Sequence, residues 1–168
     1  MSDAHVNEDL AHPRYRIANP DFATRVRESF ARQPFMETLG AEITSVTPGN
    51  CEIRLPYRAA LSQQHGFFHG GVVGTLADNA CGYASFTLAD ADSSVLTVEY
   101  KLNLMSPAAG EVLVARGRVI RPGRTLVVAQ ADVSVVIDGR EKPVATALAT
   151  LMLMQDMPDE KHVPNSKR

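Results

Sequence analysis

His69-Gly70-Gly71-Val72-Val73-Gly74-Thr75-Leu76-Ala77-Asp78-Asn79-Ala80-Cys81-Gly82-Tyr83-Ala84-Ser85-Phe86-Thr87-Leu88 opens on paired glycines and then runs to helical length without a proline. From Gly70 to Leu88 it is the most apolar helix-like segment of the chain, and such a helix has to be covered on nearly every side. Four long strand candidates follow it: Ser94–Met105, Glu111–Ile120, Leu126–Ile137 and Val144–Met154. The breaks between them, Ser106-Pro107-Ala108-Ala109-Gly110, Arg121-Pro122-Gly123-Arg124 and Asp138-Gly139-Arg140, are turn chemistry between Val-rich runs, which predicts consecutive antiparallel hairpins. Nothing else in the chain is large enough to bury the helix, so the sheet must wrap it.

Upstream, Asp21 can cap a helix over Phe22 to Gln33, and a short turn from Pro34 to Leu39 stops at Gly40. Ala41–Val46 and Cys51–Pro56 form a hairpin through Thr47-Pro48-Gly49-Asn50. The fold class is therefore α+β, with about six antiparallel strands around a long central helix and short N-terminal helices. Residues 1–19 are expected to be a loosely held arm, 20–155 the domain and 156–168 a tail. In the strand beginning at Ser94, Leu96, Val98, Tyr100, Leu102 and Leu104 alternate with Thr97, Glu99, Lys101 and Asn103, which predicts one packed and one polar face.

A chain of 168 residues can bury a true core in a single domain without disulfide or metal staples. Its net charge of -2 argues against nucleic acid and anionic membrane surfaces as partners. Cys51 and Cys81 have no companion at metal-ligand spacing and are expected to be small buried hydrophobes, so neither a metal nor a redox cofactor is called for. Met1–Leu10 carries Asp3, Glu8 and Asp9 instead of a basic then apolar leader, and the default location is the cytoplasm.

Asp78 is the residue that needs an explanation. Apart from Cys81 and Tyr83 it is the only ionisable side chain between Gly70 and Leu88. At 100° per residue its stripe holds Gly71, Gly74, Thr75, Cys81, Gly82 and Ser85, whereas Val72, Val73, Leu76, Ala80, Tyr83 and Ala84 lie on the far side. Small neighbours leave room for a ligand or a partner helix, and a carboxylate desolvated there must be paired or shifted upward in pKa. The bland alternative is a structural hydrogen bond. The helix-starting glycines let a backbone approach closely and present unpaired N–H groups, which suits a carbonyl oxygen gaining negative charge.

His69-Gly70-Gly71 with Asp78 seven positions beyond Gly71 resembles the signature of PaaI-type acyl-CoA thioesterases of the hot-dog superfamily, and the resemblance extends from about Leu39 to Met154. It implies that the Gly70 N–H polarises a thioester carbonyl, that Asp78 is nucleophile or general base, that the Gln63 amide orients the thioester or water, and that a hydroxyl at Thr97 positions the water. His69 would fix the helix entry, with direct chemistry a second-rank role. Gly71 would border the substrate, Phe67 and Phe68 would line the acyl pocket, and Arg121, Arg124 and Lys101 would meet the phosphates of coenzyme A. The resemblance further implies an acyl-CoA substrate and a site built across a homodimer, alone or as a dimer of dimers. Members pair Asn or Gln with Asp or Glu at the amide and acid positions, and this chain combines Gln with Asp. A non-catalytic acyl-CoA sensor is the alternative from another class. A hot-dog dehydratase or hydratase using His65 or His69 is a weaker one.

Overall fold

The computed structural model describes residues 15–159. Two short helices, α1 (Phe22–Ala31) and α2 (Pro34–Leu39), precede a hairpin of β1 (Glu42–Thr47) and β2 (Asn50–Pro56). The central helix α3 (Gly70–Phe86) then carries the chain across to β3 (Ser94–Leu104), followed by β4 (Val112–Arg121), β5 (Leu126–Ile137) and β6 (Arg140–Met154). The strands form one antiparallel sheet in the order β1-β2-β4-β5-β6-β3, so the crossover through α3 places β3 at an edge, paired with β6 alone; the hairpin expected at Ser106–Gly110 is not formed, and that segment instead carries the chain from the edge strand β3 to β4 between β2 and β5.

The sheet wraps α3, as the sequence predicts, and alanines make that possible. Ala115, Ala129, Ala131, Ala145, Ala147 and Ala149 face inward and are buried, leaving space for Leu76, Ala77, Ala80 and Ala84 of the helix. Contact is closest at Gly117 of β4, where a Cβ would lie 2.1 Å from the Ala80 carbonyl oxygen. The helix and sheet backbones touch there, which fixes the height of α3 over the sheet. At the far end, the Gly49 N–H donates to Thr87 Oγ1 at 2.7 Å and ties the β1–β2 turn to the helix terminus.

Several elements differ in detail from the sequence reading. The helix α1 ends two residues before Gln33, and Asp21 makes no side-chain cap bond; Asn19 Oδ1 instead accepts from the Asp21 N–H at 3.0 Å. The strand β6 begins at Arg140, four residues earlier than expected, because Asp138 and Gly139 both take positive φ (49° and 73°) and turn the hairpin in two residues. Pro143 is accommodated at an irregularity in the β5–β6 register. Most of the expected arm and tail lies outside the described residues; of the remainder, the Tyr15 hydroxyl donates to the Val119 carbonyl at 2.5 Å.

The strand carrying Thr97 departs most. Thr97 pairs with Leu151 and Glu99 with Thr150, so Val98 is an extra residue in a β-bulge. Before the bulge Val95 and Thr97 face the helix; after it Tyr100, Leu102 and Leu104 do, opposite buried Ala149, Ala147 and Ala145. The expected unbroken alternation is thus corrected: Leu96 sits on the outer face and Thr97 on the inner one.

Candidate active site

The entry to α3 is built by the loop before it. Ser62 and Phe68 form an isolated bridge, the Gln63 N–H donates to the Phe67 carbonyl at 2.9 Å, and the His69 N–H donates to the Leu61 carbonyl at 2.9 Å. Gly66 completes the turn at φ +80°. His69 is the N-cap, and its Nδ1 accepts from the Gly71 N–H at 2.9 Å. The Val72 and Val73 N–H groups both donate to the His69 carbonyl. That leaves the Gly70 N–H as the donor of the first turn that has no acceptor among the described residues. Side chains are kept out of this mouth: a Cβ on Gly70 would meet Leu104 Cδ1 at 3.2 Å, and one on Gly71 would press on the capping His69 ring at 3.1 Å.

The acid sits two turns further along. The open stripe of α3 runs Gly71, Thr75, Asp78, Gly82, while Gly74, Cys81 and Ser85, expected on the same stripe, are buried in the fold. Asp78 Oδ1 accepts from Thr97 Oγ1 at 2.8 Å, a bond that exists because the Val98 bulge turns Thr97 inward. Burial pushes the Asp78 carboxyl above the ordinary carboxylate range, and the Thr97 hydroxyl, bonding to the charged form, partly opposes the rise. Cys81, one turn away, has its thiol pushed up to about 12 by burial, so it offers no thiolate.

Asp78 and Thr97 border a cavity of about 400 Å³ enclosed by α1, α3, the start of β3 and Asp159. Tyr83 lines it too. By angle Tyr83 belongs to the far side of the helix, but α1 crosses that side, and the cavity follows the gap between the two helices. Its hydroxyl accepts from Gln33 Nε2 at 2.6 Å and lies 3.3 Å from Ser29 Oγ. Neither Gln33 nor Tyr83 was singled out from the sequence as part of a site; the sign available was a tyrosine inside an otherwise hydrocarbon helix, which needs a partner for its hydroxyl.

The remaining sequence candidates are scattered. Phe68 is buried against Tyr57, ring centroids 5.3 Å apart, and Phe67 is half-buried; neither borders the cavity. Gln63 is half-buried, and its side-chain oxygen accepts from the His65 N–H within the loop. His65 is exposed in that loop, apart from Asp78. Arg121 and Arg124 are exposed at the β4–β5 turn and Lys101 on the outer face of β3, none of them at the cavity. No cluster of His, Cys, Asp or Glu among the described residues could hold a metal, and no described helix is long and apolar enough to cross a membrane.

An antiparallel sheet wrapped around one helix, with a carboxylate on that helix and a glycine amide at its mouth, defines a hot-dog-fold protein of the thioesterase type. The model of the thioesterase superfamily matches residues 65–140, the stretch from the loop before α3 to the β5–β6 turn. A thioesterase family protein from Silicibacter pomeroyi is 51% identical in sequence with a TM-score of 0.79, the match covering 80% of this chain and 98% of that one. The 1,4-dihydroxy-2-naphthoyl-CoA hydrolase of Listeria monocytogenes is 28% identical over 89 residues, 53% of this chain and 72% of its own. The PaaI protein of the E. coli phenylacetic acid degradation operon shares the fold, with a TM-score of 0.74 at 19% identity over 85% of this chain and 99% of its own. The chain belongs to the thioesterase superfamily.

Proposed function

We propose that this thioesterase hydrolyses an acyl-CoA thioester, with Asp78 as the catalytic carboxylate and the Gly70 N–H as the oxyanion donor. The observation that carries the reading is the Thr97–Asp78 pair: a partly desolvated acid, aimed by a hydroxyl, at the edge of a cavity of ligand size. Asp78 either attacks the acyl carbon, giving a mixed anhydride that water opens, or takes a proton from the water that attacks it. Both routes break the C–S bond, release coenzyme A as thiol and leave the acid. Thr97 holds the carboxylate, and in the general-base route its oxygen is placed to accept from the lytic water. The name of the Listeria relative, a hydrolase of a CoA ester, is consistent with this substrate class.

One copy is not enough. Gly70 and Asp78 are eight residues apart on the same helix, about 12 Å along its axis, too far for both to serve one carbonyl. Helix-facing residues of the edge strand remain uncovered, with Tyr100 45% and Leu104 58% exposed beside the α3 mouth. A two-fold arrangement joining β3 edges would cover them and bring Gly70 of one copy opposite Asp78 of the other. Gln63, near the helix mouth, would then stand with Gly70 and across from the partner's acid, as the resemblance implies.

The test is free-thiol release from a panel of acyl-CoA esters. Wild type should turn over at least one ester, Asp78→Ala should lose orders of magnitude in kcat, and Gln63→Ala should lose less. A wild type that binds the esters tightly but releases no thiol from any of them would establish the sensor reading instead.

A further inference from the structure

The cavity beside Asp78 ends on a hydrogen-bonded pair that hydrolysis does not require. From Asp78 the gap follows α3 toward its C-terminus, past Gly82, with Phe86 beyond. Tyr83 lies five residues on from the acid, about 7.5 Å along the helix axis, the reach of one aromatic ring or a medium-length acyl chain. There the Tyr83 hydroxyl receives the Gln33 amide N–H, while no described residue hydrogen-bonds Gln33 Oε1. Both residues line the cavity, and both can exchange hydrogen bonds with a guest. Charge enters through Asp78, Asp159 and Arg32, the last two paired through Arg32 Nη2 and Asp159 Oδ2 at 2.5 Å, so the cavity carries one net negative charge when Asp78 is ionised. Arg25 is not part of the lining: its guanidinium stacks on the Phe86 ring at 4.0 Å and donates to the Asp90 and Ser93 carbonyls, close enough for its charge to be felt by Asp159 and Arg32.

We propose that Gln33 and Tyr83 determine acyl specificity, selecting a neutral acyl group that bears a hydrogen-bonding substituent such as a hydroxyl, and that a carboxylate at the same position is rejected. This rests on the assignment of Asp78 as the hydrolytic acid, which places the thioester at the other end of the cavity. A hydroxyl can donate to Gln33 Oε1 and accept from the amide or from Tyr83. A plain hydrocarbon leaves Gln33 Oε1 without a donor, and a carboxylate meets the net negative charge of the lining.

The experiment compares phenylpropanoyl-CoA with its para-hydroxy and para-carboxy derivatives. Wild type should favour the hydroxylated ester over the plain one by about tenfold or more in kcat/KM and disfavour the carboxylated one. Tyr83→Phe, which keeps the ring packed between Phe30 and Phe86, and Gln33→Leu should each collapse the hydroxyl preference while still hydrolysing the plain ester. A structural role alone would lower all three esters together and leave their ratios unchanged. Equal wild-type rates on the first two esters, or an unchanged ratio in both variants, overturns the assignment. If wild type hydrolyses none of them, the hydrolase reading is decided by the wider acyl-CoA panel, and the pocket is judged separately from the dissociation constants of hydrolysis-resistant thioether analogues. Tighter binding of the hydroxylated analogue in wild type, lost in Tyr83→Phe, would sustain the assignment, and equal binding would end it.

Discussion

At Asp78 activity and stability pull in opposite directions. Its folded-state pKa lies above its unfolded value because burial penalises the charge, so the protonated acid fits the fold better than the carboxylate that the proposed hydrolysis uses. The strain is absent below the unfolded pKa and is felt in full once pH has risen through the folded one. Asp78→Asn should therefore raise the melting temperature at pH 7 to 8 and lose that advantage in acid, while abolishing most of the activity. Equal or lower stability of the variant at neutral pH would contradict this account. In the enzyme, kcat/KM should fall on the acid side with a midpoint above the usual carboxylate range. Thr97→Val removes the bond that favours the charged form, so its midpoint should move further toward alkaline pH. A pH–rate profile of both proteins checks the sign.

The Gly70 N–H can be deleted almost alone. Proline is tolerated at the first position of a helix, and the preceding His69 already has φ -62° and ψ 138°, the extended conformation that a residue before proline prefers. The Leu104 side chain, 3.2 Å from the site of a Cβ, has a flexible end that can give way. Gly70→Pro should keep the fold, as read by circular dichroism and urea unfolding, and lose about 10²–10³ in kcat. Near-normal turnover would remove Gly70 from the oxyanion role.

Among the elements, Gly117 fixes the distance between α3 and the sheet. Its missing Cβ would have to occupy the space of the Ala80 carbonyl, a backbone group that can move only if the helix moves. Gly117→Ala should destabilise the protein by about 1–3 kcal/mol or more, measured by urea unfolding, because it lifts the helix that carries the acid. This contact was invisible in the sequence, where a glycine within a strand is compatible with several explanations. The long helix, the four strands and the β4–β5 and β5–β6 hairpins were legible, since their apolar periods and turn residues agree with one another, whereas the β3–β4 hairpin read from Ser106–Gly110 was wrong because turn residues do not say which strand becomes the neighbour. So was the acid, a lone charge in hydrocarbon. The bulge at Val98 was not: no glycine or proline marks it, and the apolar-polar alternation runs through it unbroken in the sequence. Only the pairing with β6 shows that Thr97 changes faces. Tyr83 was assigned by angle to the wrong neighbourhood for a related reason, because what lies beside a helix depends on where α1 crosses it, and that is a tertiary fact.

At the scale of the whole molecule, the separation of Gly70 from Asp78 makes the proposed activity a property of the pair of copies. An aspartate in place of Tyr100 on the edge strand should keep the assembly apart and silence turnover, but such a variant could fail for other reasons. A sharper measurement uses two variants that are each inactive. Asp78→Ala lacks the acid in every site, and Gly70→Pro lacks the donor in every site. If donor and acid came from the same copy, mixing the two would never produce a complete site. If they come from different copies, each mixed dimer holds one site with both defects and one with neither. Exchanging subunits at low denaturant and assaying thiol release should then recover a substantial fraction of wild-type activity, while either variant taken alone through the same treatment should stay silent. Failure to recover activity, with mixed dimers verified by mass spectrometry of tagged copies, would place both groups in one chain and require a different route for the thioester along α3.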